Sequence, residues 1–295
     1  MEYRTLGNSS LIISRIGFGG MSLEDGGEKL LLAALEKGIN YFDTADIYQH
    51  GLNEEMIGRA FHVRRNEVIL ATKAGNERTI DGKGWHWNPG RNHLLTALES
   101  SLRRLNTDYV DLFQLHGGML EDPIDEIIGT FELLQQQGKI RYYGISSIRP
   151  EVIREYVRRS SIASVMMQYC LLDRRPEEEL LDLLQENRIG VLARGSLAKG
   201  MLVSKAPAQF LNHATADVMA MAGQVAAISD DERTATGTAL QFVLGHPAVT
   251  SSVVGMRTPQ QLDAAIAAER SRGLSKTEYH HLANVLSANQ YTEFR

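Results

Sequence analysis

Gly38-Ile39-Asn40-Tyr41-Phe42-Asp43-Thr44-Ala45-Asp46-Ile47-Tyr48 decides how the rest of this chain is read. An amphipathic helix pattern ends at Lys37-Gly38, where glycine is a natural C-terminal stop. A short apolar strand, Ile39 to Phe42, follows. Asp43 sits where that strand ends, with Tyr48 further along in a loop. A carboxylate at a strand's carboxyl end and a phenol in the next loop converge only if that end of the sheet is a working face.

Upstream of this stretch, Thr5 to Ile12 reads as a hairpin turning at Gly7-Asn8. Ile16-Gly17-Phe18-Gly19 reads as a short glycine-rich strand. Glu28 to Lys37 places Leu30, Leu31, Ala34 and Leu35 on one helical face. Downstream, strand and helix alternate. A strand from Val68 to Thr72 stops at Lys73, and a long polar loop with Asp81-Gly82, Trp85 and Trp87 leads to a helix from Arg91 to Arg104. The strand Tyr109 to Leu115 ends at His116-Gly117-Gly118, and a helix runs from Pro123 to about Gln137.

Ile140 to Ile145 is a strand followed by Ser146-Ser147 and a helix opening near Pro150. Ser164 to Gln168 is a strand, and Pro176 opens a helix to about Asn187. Ile189 to Ala193 gives out at Arg194-Gly195-Ser196, and helical material fills 207–244. The last strand, Thr250 to Val254, leads through Gly255 to a helix with Thr258 as N-cap and Pro259 first. A closing helix spans about Ser275 to Ala288.

Eight strand–helix units follow the hairpin, and several strands are continuous apolar runs, the mark of parallel strands buried on both faces. No linker or composition shift divides the chain. The pattern predicts one (β/α)8 TIM barrel domain over residues 1–295. The rival is a doubly wound sheet, since Gly17-Phe18-Gly19-Gly20-Met21-Ser22 nearly matches a dinucleotide fingerprint. Its third glycine, however, is Ser22, and the helix starts several residues too late to meet a pyrophosphate. The barrel is favoured.

The composition belongs with soluble globular proteins: 43% of the 295 residues are hydrophobic, enough for a full core. Net charge is −5 with acids and bases interleaved, so no basic stripe points to nucleic acid. No run of 18 apolar residues suited to crossing a membrane occurs. The one cysteine, Cys170, forms no internal disulfide and lies in an apolar run, which fits packing and a reducing cytoplasm.

In a barrel, chemistry collects at the carboxyl ends of the strands. There the sequence supplies Gly20-Met21, Asp43 with Tyr48, Lys73, His116, Ser146-Ser147, Gln168, Arg194 to Gly200 and Gly255 to Thr258. Each has a bland alternative. Asp43 serves equally as a turn cap, Tyr48 as a half-buried loop tyrosine, and His116 as a structural histidine. Lys73 resists such a reading, because a lysine ending a buried strand needs an anionic partner. Asp43, one strand over, is the obvious one.

These residues resemble the aldo-keto reductases, NADPH-dependent barrel enzymes that reduce carbonyls. The resemblance covers nearly the whole chain. Its specific parts are the opening stretch, Ala71-Thr72-Lys73, the run from Ser101 through His116, and Gly138-Lys139-Ile140-Arg141-Tyr142-Tyr143-Gly144-Ile145-Ser146. It implies a catalytic tetrad of Asp43, Tyr48, Lys73 and His116, and an N-terminal hairpin plugging the barrel floor.

A free tyrosine, with pKa about 10, is a feeble acid, and a neighbouring ammonium stabilises the phenolate and eases proton donation. Lys73 would supply that charge, Asp43 would hold Lys73, and His116 would orient the carbonyl. The resemblance assigns the nicotinamide carboxamide to Ser146, Ser147 and Gln168. Ser147 stands where asparagine is usual. Arg194 replaces a nicotinamide-stacking tyrosine, a position a planar guanidinium can fill.

The loop Gly195-Ser196-Leu197 with Lys199 and Gly200 would meet the pyrophosphate. Gly20, Met21, Asp43, Gly255 and Thr258 complete the implied cofactor set. Arg257 is the candidate for the adenosine 2'-phosphate, the alternative being a solvated loop residue, and Gln261 matches a position that touches adenine. Substrate contacts fall to Tyr48, His116, Ile47, Trp85 and Trp87, with Met21 and Met119 at the mouth.

No metal is expected. A metal-dependent barrel hydrolase would need ligand clusters at strand ends, and only His116 is offered, His280-His281 lying far along in the last helix. A cofactor-binding redox-sensing subunit of the same fold is the remaining alternative. The expected partner is a small carbonyl compound.

Overall fold

The computed structural model describes residues 1–24, 26–79 and 83–292; Asp81-Gly82, read above as part of a loop, lie outside the described residues. Eight parallel strands close into a barrel: β1 (Ile16–Gly19), β2 (Tyr41–Asp43), β3 (Ile69–Ala74), β4 (Val110–Leu115), β5 (Ile140–Ser146), β6 (Ser164–Gln168), β7 (Gly190–Arg194) and β8 (Val249–Gly255). Ser252 of β8 pairs with Ile16 of β1, which completes the ring and removes the doubly wound alternative.

Side chains alternate along each strand, and that alternation builds the site. Tyr41, Ala71, Leu112, Met166, Leu192 and Val253 face inward and pack with Leu6, Leu11 and Ile13 of the N-terminal hairpin. The hairpin, Tyr3–Thr5 paired antiparallel with Ile12–Ser14, thus fills the floor of the barrel as expected. Two residues further along the same strands, the inward positions become Asp43, Lys73, Gln114, Gln168 and Arg194. The register sets Asp43 opposite Ala71 and Lys73 opposite Gln114. One step along each strand therefore carries the interior from an apolar floor to a polar layer.

The other strand face, including Phe18, Phe42, Leu70, Phe113, Val165, Val191 and Val254, packs against the surrounding helices. These are α1 (Glu28–Glu36), α2 (Leu52–Phe61), α3 (Arg91–Leu105), α4 (Ile124–Gln136), α5 (Pro150–Arg159), α6 (Leu180–Glu186), α7 (Thr215–Ala227), α8 (Ala235–Leu244), α9 (Pro259–Arg270) and α10 (Lys276–Ala283).

Five elements depart from the sequence reading. α2 has no counterpart there, because its buried face carries Asn53 and Glu54 and so blurs the apolar period. The loop with the two tryptophans holds a hairpin, Asn76–Arg78 against Trp85–Trp87. The expected helix over 207–244 is two helices. α7 starts only at Thr215, and α8 restarts after Thr234, whose hydroxyl accepts from the Gly237 N–H. The segment opened by Pro176 is a 3-10 turn, Arg175–Glu178, broken at Glu179 before α6. α9 begins as expected, with the Thr258 hydroxyl accepting from the Gln261 N–H. α10 is shorter than expected, ending at Ala283.

Candidate active site

The layer above the barrel floor centres on Lys73, which is fully buried. Its ammonium donates to Asp43 Oδ2 at 2.7 Å and to the Thr44 carbonyl at 2.6 Å. Tyr48 covers the remaining side, with its ring centroid 5.2 Å from the ammonium. The His116 ring meets Tyr48 edge-on, centroids 5.9 Å apart. The four residues named from strand-end positions thus converge.

Burial works against the charge on Lys73, yet Asp43 and Tyr48 outweigh it and lift its pKa above the ordinary lysine value. Burial pushes the Asp43 carboxyl upward, with Lys73 and Gln114 only partly offsetting it. The proton therefore stays on Lys73. His116 is driven the other way, down to about 3, first by burial and then by the cations Lys73 and Arg194. It is a neutral imidazole across the physiological range, and its Nδ1 is buried without a hydrogen-bond partner.

Several residues that the sequence reading passed over support this centre. Gln114, two positions after Leu112 in what reads as an apolar run, is fully buried, and its amide approaches Asp43 Oδ1 at 3.5 Å. Asn53 of α2 donates to the Gly20 carbonyl at 2.8 Å and accepts from the Thr44 hydroxyl at 2.6 Å, tying the turn after β1 to that after β2. A Cβ at Gly20 would lie 2.7 Å from Asn53 Oδ1, so this close approach requires glycine. Outside the barrel wall, Thr72 donates to Glu54 at 2.5 Å, and Glu54 pairs with Arg104 at 2.6 Å. Asp46 lies nearby. Burial first, then Glu54, raise its carboxyl to about 7, and its Oδ1 is buried without a partner.

A cleft of about 410 Å³ opens beside His116. Ser146 and Arg194, at the ends of β5 and β7, line it together with Ser147. Trp87, Met119 and Ile148 are the large apolar residues of the lining, and Arg149, Arg175 and Tyr291 also belong to it. Trp87 is fixed by its indole N–H donating to Asp122 at 2.8 Å. Trp85 does not line the cleft. It is 40% exposed, beside His50 and Arg78. Met21, 67% exposed, and half-buried Ile47 also lie outside the lining. A concavity of about 730 Å³ between α2 and α3 is larger, but it is open to solvent and holds none of the four central residues.

Gln168 belongs to a network of its own. It donates to Asp173 at 2.9 Å and accepts from Arg194 at 3.0 Å, while Arg175 grips Asp173 through two 2.7 Å bonds. Ser147 accepts from the Arg149 N–H at 3.2 Å, which leaves its own hydroxyl hydrogen to donate. After β7, Gly195, Lys199 and Gly200 all take positive φ, coiling the backbone into a tight turn. Ser252 donates to Ser196 at 2.8 Å and anchors that turn to β8. Leu197 is half-buried within it.

Beyond β8, Gly255 and Arg257 are exposed. The Arg257 N–H donates to the Gln261 side chain at 2.8 Å, so the Gln261 carbonyl is spent on the helix start. Cys170 is buried, and its thiol is pushed up to about 12, chiefly by burial, so it is inert. Among the described residues no His, Cys, Asp and Glu side chains group as metal ligands, and no helix is long and apolar enough to cross a membrane.

This geometry has close relatives. The chain is 45% identical to an uncharacterized oxidoreductase, YqkF, of Bacillus subtilis, over the full length of both. It is 33% identical over 70% of its length to the NADP(+) aldo-keto reductase yakc of Schizosaccharomyces pombe, covering 65% of that protein. Its backbone matches the holo form of aldo-keto reductase AKR11C1 from Bacillus halodurans with a TM-score of 0.94 and 43% identity, covering 100% of this chain and 99% of the other. The apo form of that protein matches at 0.86, with 40% identity and the same coverage. The profile of the Aldo/keto reductase family matches residues 15–286. The chain belongs to the aldo/keto reductase family and is an oxidoreductase of that family.

Proposed function

We propose that this protein reduces aldehyde or ketone carbonyls to alcohols at the expense of NADPH, with Tyr48 as the proton donor. The observation that carries the reading is the buried ammonium of Lys73, bonded to Asp43 and lying against the Tyr48 ring. A bound reduced nicotinamide supplies the hydride. As negative charge develops on the carbonyl oxygen, Tyr48 gives up its proton to it, and Lys73 stabilises the phenolate left behind. Asp43 keeps Lys73 in place and prevents a lone buried cation. Neutral His116 orients the carbonyl through a ring N–H, a task an imidazole performs without adding charge.

The residues present fit such a cofactor. Ser147 retains a donor for a carboxamide, and Ser146 lines the same cleft. The planar guanidinium of Arg194 offers a stacking face. The turn Gly195 to Gly200 and the start of α9 present backbone N–H groups suited to phosphate. Exposed Arg257, at the end of that path, is assigned to the 2'-phosphate that distinguishes NADPH. A relative named for NADP(+) supports the choice.

The test is a panel of aldehydes, ketones and sugars assayed with NADPH and NADH. Steady oxidation of NADPH with simple aldehydes is expected, and Arg257→Gln should narrow the preference over NADH. Tight cofactor binding with negligible turnover would instead indicate a redox-sensing role.

A further inference from the structure

We propose that Arg194 makes this site select between the two oxidation states of its nicotinamide, retaining the neutral reduced ring and disfavouring the cationic oxidised one. The inference rests on the reductase reading above and adds how the cofactor is chosen. NADPH and NADP(+) carry identical phosphates, so contacts to the pyrophosphate and the 2'-phosphate favour neither form. The two differ at the nicotinamide, which is uncharged when reduced and carries one positive charge when oxidised. The charge of the protein groups around that ring therefore decides between them.

The inward polar layer of the barrel holds three charges, on Asp43, Lys73 and Arg194. Asp43 and Lys73 cancel as an ion pair at 2.7 Å. Arg194 remains: its guanidinium donates to the neutral Gln168 amide oxygen at 3.0 Å and makes no ion pair among the described residues. The acids nearby are committed elsewhere. Asp173 takes two 2.7 Å bonds from Arg175, and Asp122 accepts from the Trp87 indole and the Met119 N–H and does not line the cleft. The local field agrees, for after burial the charges acting on His116 are the cations Lys73 and Arg194.

Arg194 is also held in place. Gln168 accepts from it and donates in turn to Asp173 at 2.9 Å, which Arg175 grips. This chain of bonds keeps a half-buried guanidinium at the cleft instead of releasing it to water. Arg194 lines the same cleft as His116, and its charge reaches both His116 and Asp43. A ring that passes hydride to a carbonyl held by Tyr48 and His116 must enter that field. When the hydride leaves with its two electrons for the carbonyl carbon, and the Tyr48 proton goes to the oxygen, the ring becomes a cation beside a cation. A guanidinium attracts an electron-rich ring and repels a pyridinium. The protein thus loads NADPH in the presence of NADP(+) and sheds the oxidised product, which suits an enzyme working toward reduction.

The experiment measures the dissociation constants of NADPH and NADP(+) by isothermal titration calorimetry with no carbonyl compound present, so binding is read and not turnover. The unmodified protein should hold NADPH about tenfold or more tighter, a scale that one unit charge in a half-buried site supplies. A tenfold ratio raises the midpoint potential of the bound couple by about 30 mV. Arg194→Gln should bring the ratio close to one, and Arg194→Lys should keep most of it. Both ligands are read on the same protein, so lost packing or partial misfolding moves the two constants together and leaves their ratio. Arg194→Met gives the same comparison where the glutamine variant does not fold. Equal affinities in the unmodified protein, or a preference unchanged in Arg194→Gln, overturns the inference and leaves the reductase reading standing. Binding of neither form to the unmodified protein overturns both.

Discussion

Lys73 and Asp43 form an ion pair at 2.7 Å in a place that water does not reach, their side chains 0% and 6% exposed. Such a pair is a poor device for stability, since desolvating both charges offsets most of their attraction. The pair lies against Tyr48, the residue proposed above as proton donor.

The consequence is a separation of stability from activity. Lys73→Met strands a buried carboxylate and should cost about 3–5 kcal/mol. The double variant Asp43→Leu with Lys73→Met should recover most of that loss in urea unfolding, while turnover remains as low as in the single variant. Recovery of activity with stability would show that the pair is only structural.

Asp46 makes a pH-dependent prediction. Its folded pKa, about 7, lies above the ordinary 3.8, so between these values the folded protein holds a proton that the unfolded chain has released. Stability contributed by this group is full below about pH 4 and is lost as pH rises through 7. Asp46→Asn should therefore leave stability near pH 4 almost unchanged and raise it at pH 8, on the order of 1–3 kcal/mol. Melting curves at the two pH values check this; an equal effect at both contradicts it.

His116 has the opposite sign. Its folded pKa near 3 lies below the ordinary 6.5, so the unfolded chain binds the extra proton between those values. Stability present above about pH 6.5 should fall with acid by up to about 1.4 kcal/mol per pH unit from this group. His116→Gln should flatten that slope. The same depression predicts that the pH–rate profile from 5 to 9 carries no limb from His116 ionisation.

Much of this was legible in the chain and some was not, for definable reasons. Asp43, Lys73, His116 and Arg194 interrupt apolar runs at the same end of β2, β3, β4 and β7, so simple strand reading places them. Gln114 obeys the same two-residue alternation but hides between Phe113 and Leu115, inside a run read as wholly buried. α2 escapes because Asn53 and Glu54 take positions that an apolar period would fill. They are buried because they brace the site, so function erased the local signal. Arg149, Arg175 and Tyr291 reach the cleft from loops and the C-terminal tail, and convergence of that kind is set by barrel closure rather than by spacing. The Gln168–Asp173–Arg175 network likewise appears only once the turn after β6 is folded.

The central claim is that Tyr48 delivers the proton. The direct test is single-turnover reduction of a good aldehyde by Tyr48→Phe at saturating NADPH, with cofactor affinity measured alongside. We predict a loss of about 10²–10⁴-fold in the rate, with cofactor affinity close to that of the unmodified protein. A wild-type rate in the variant would contradict the account.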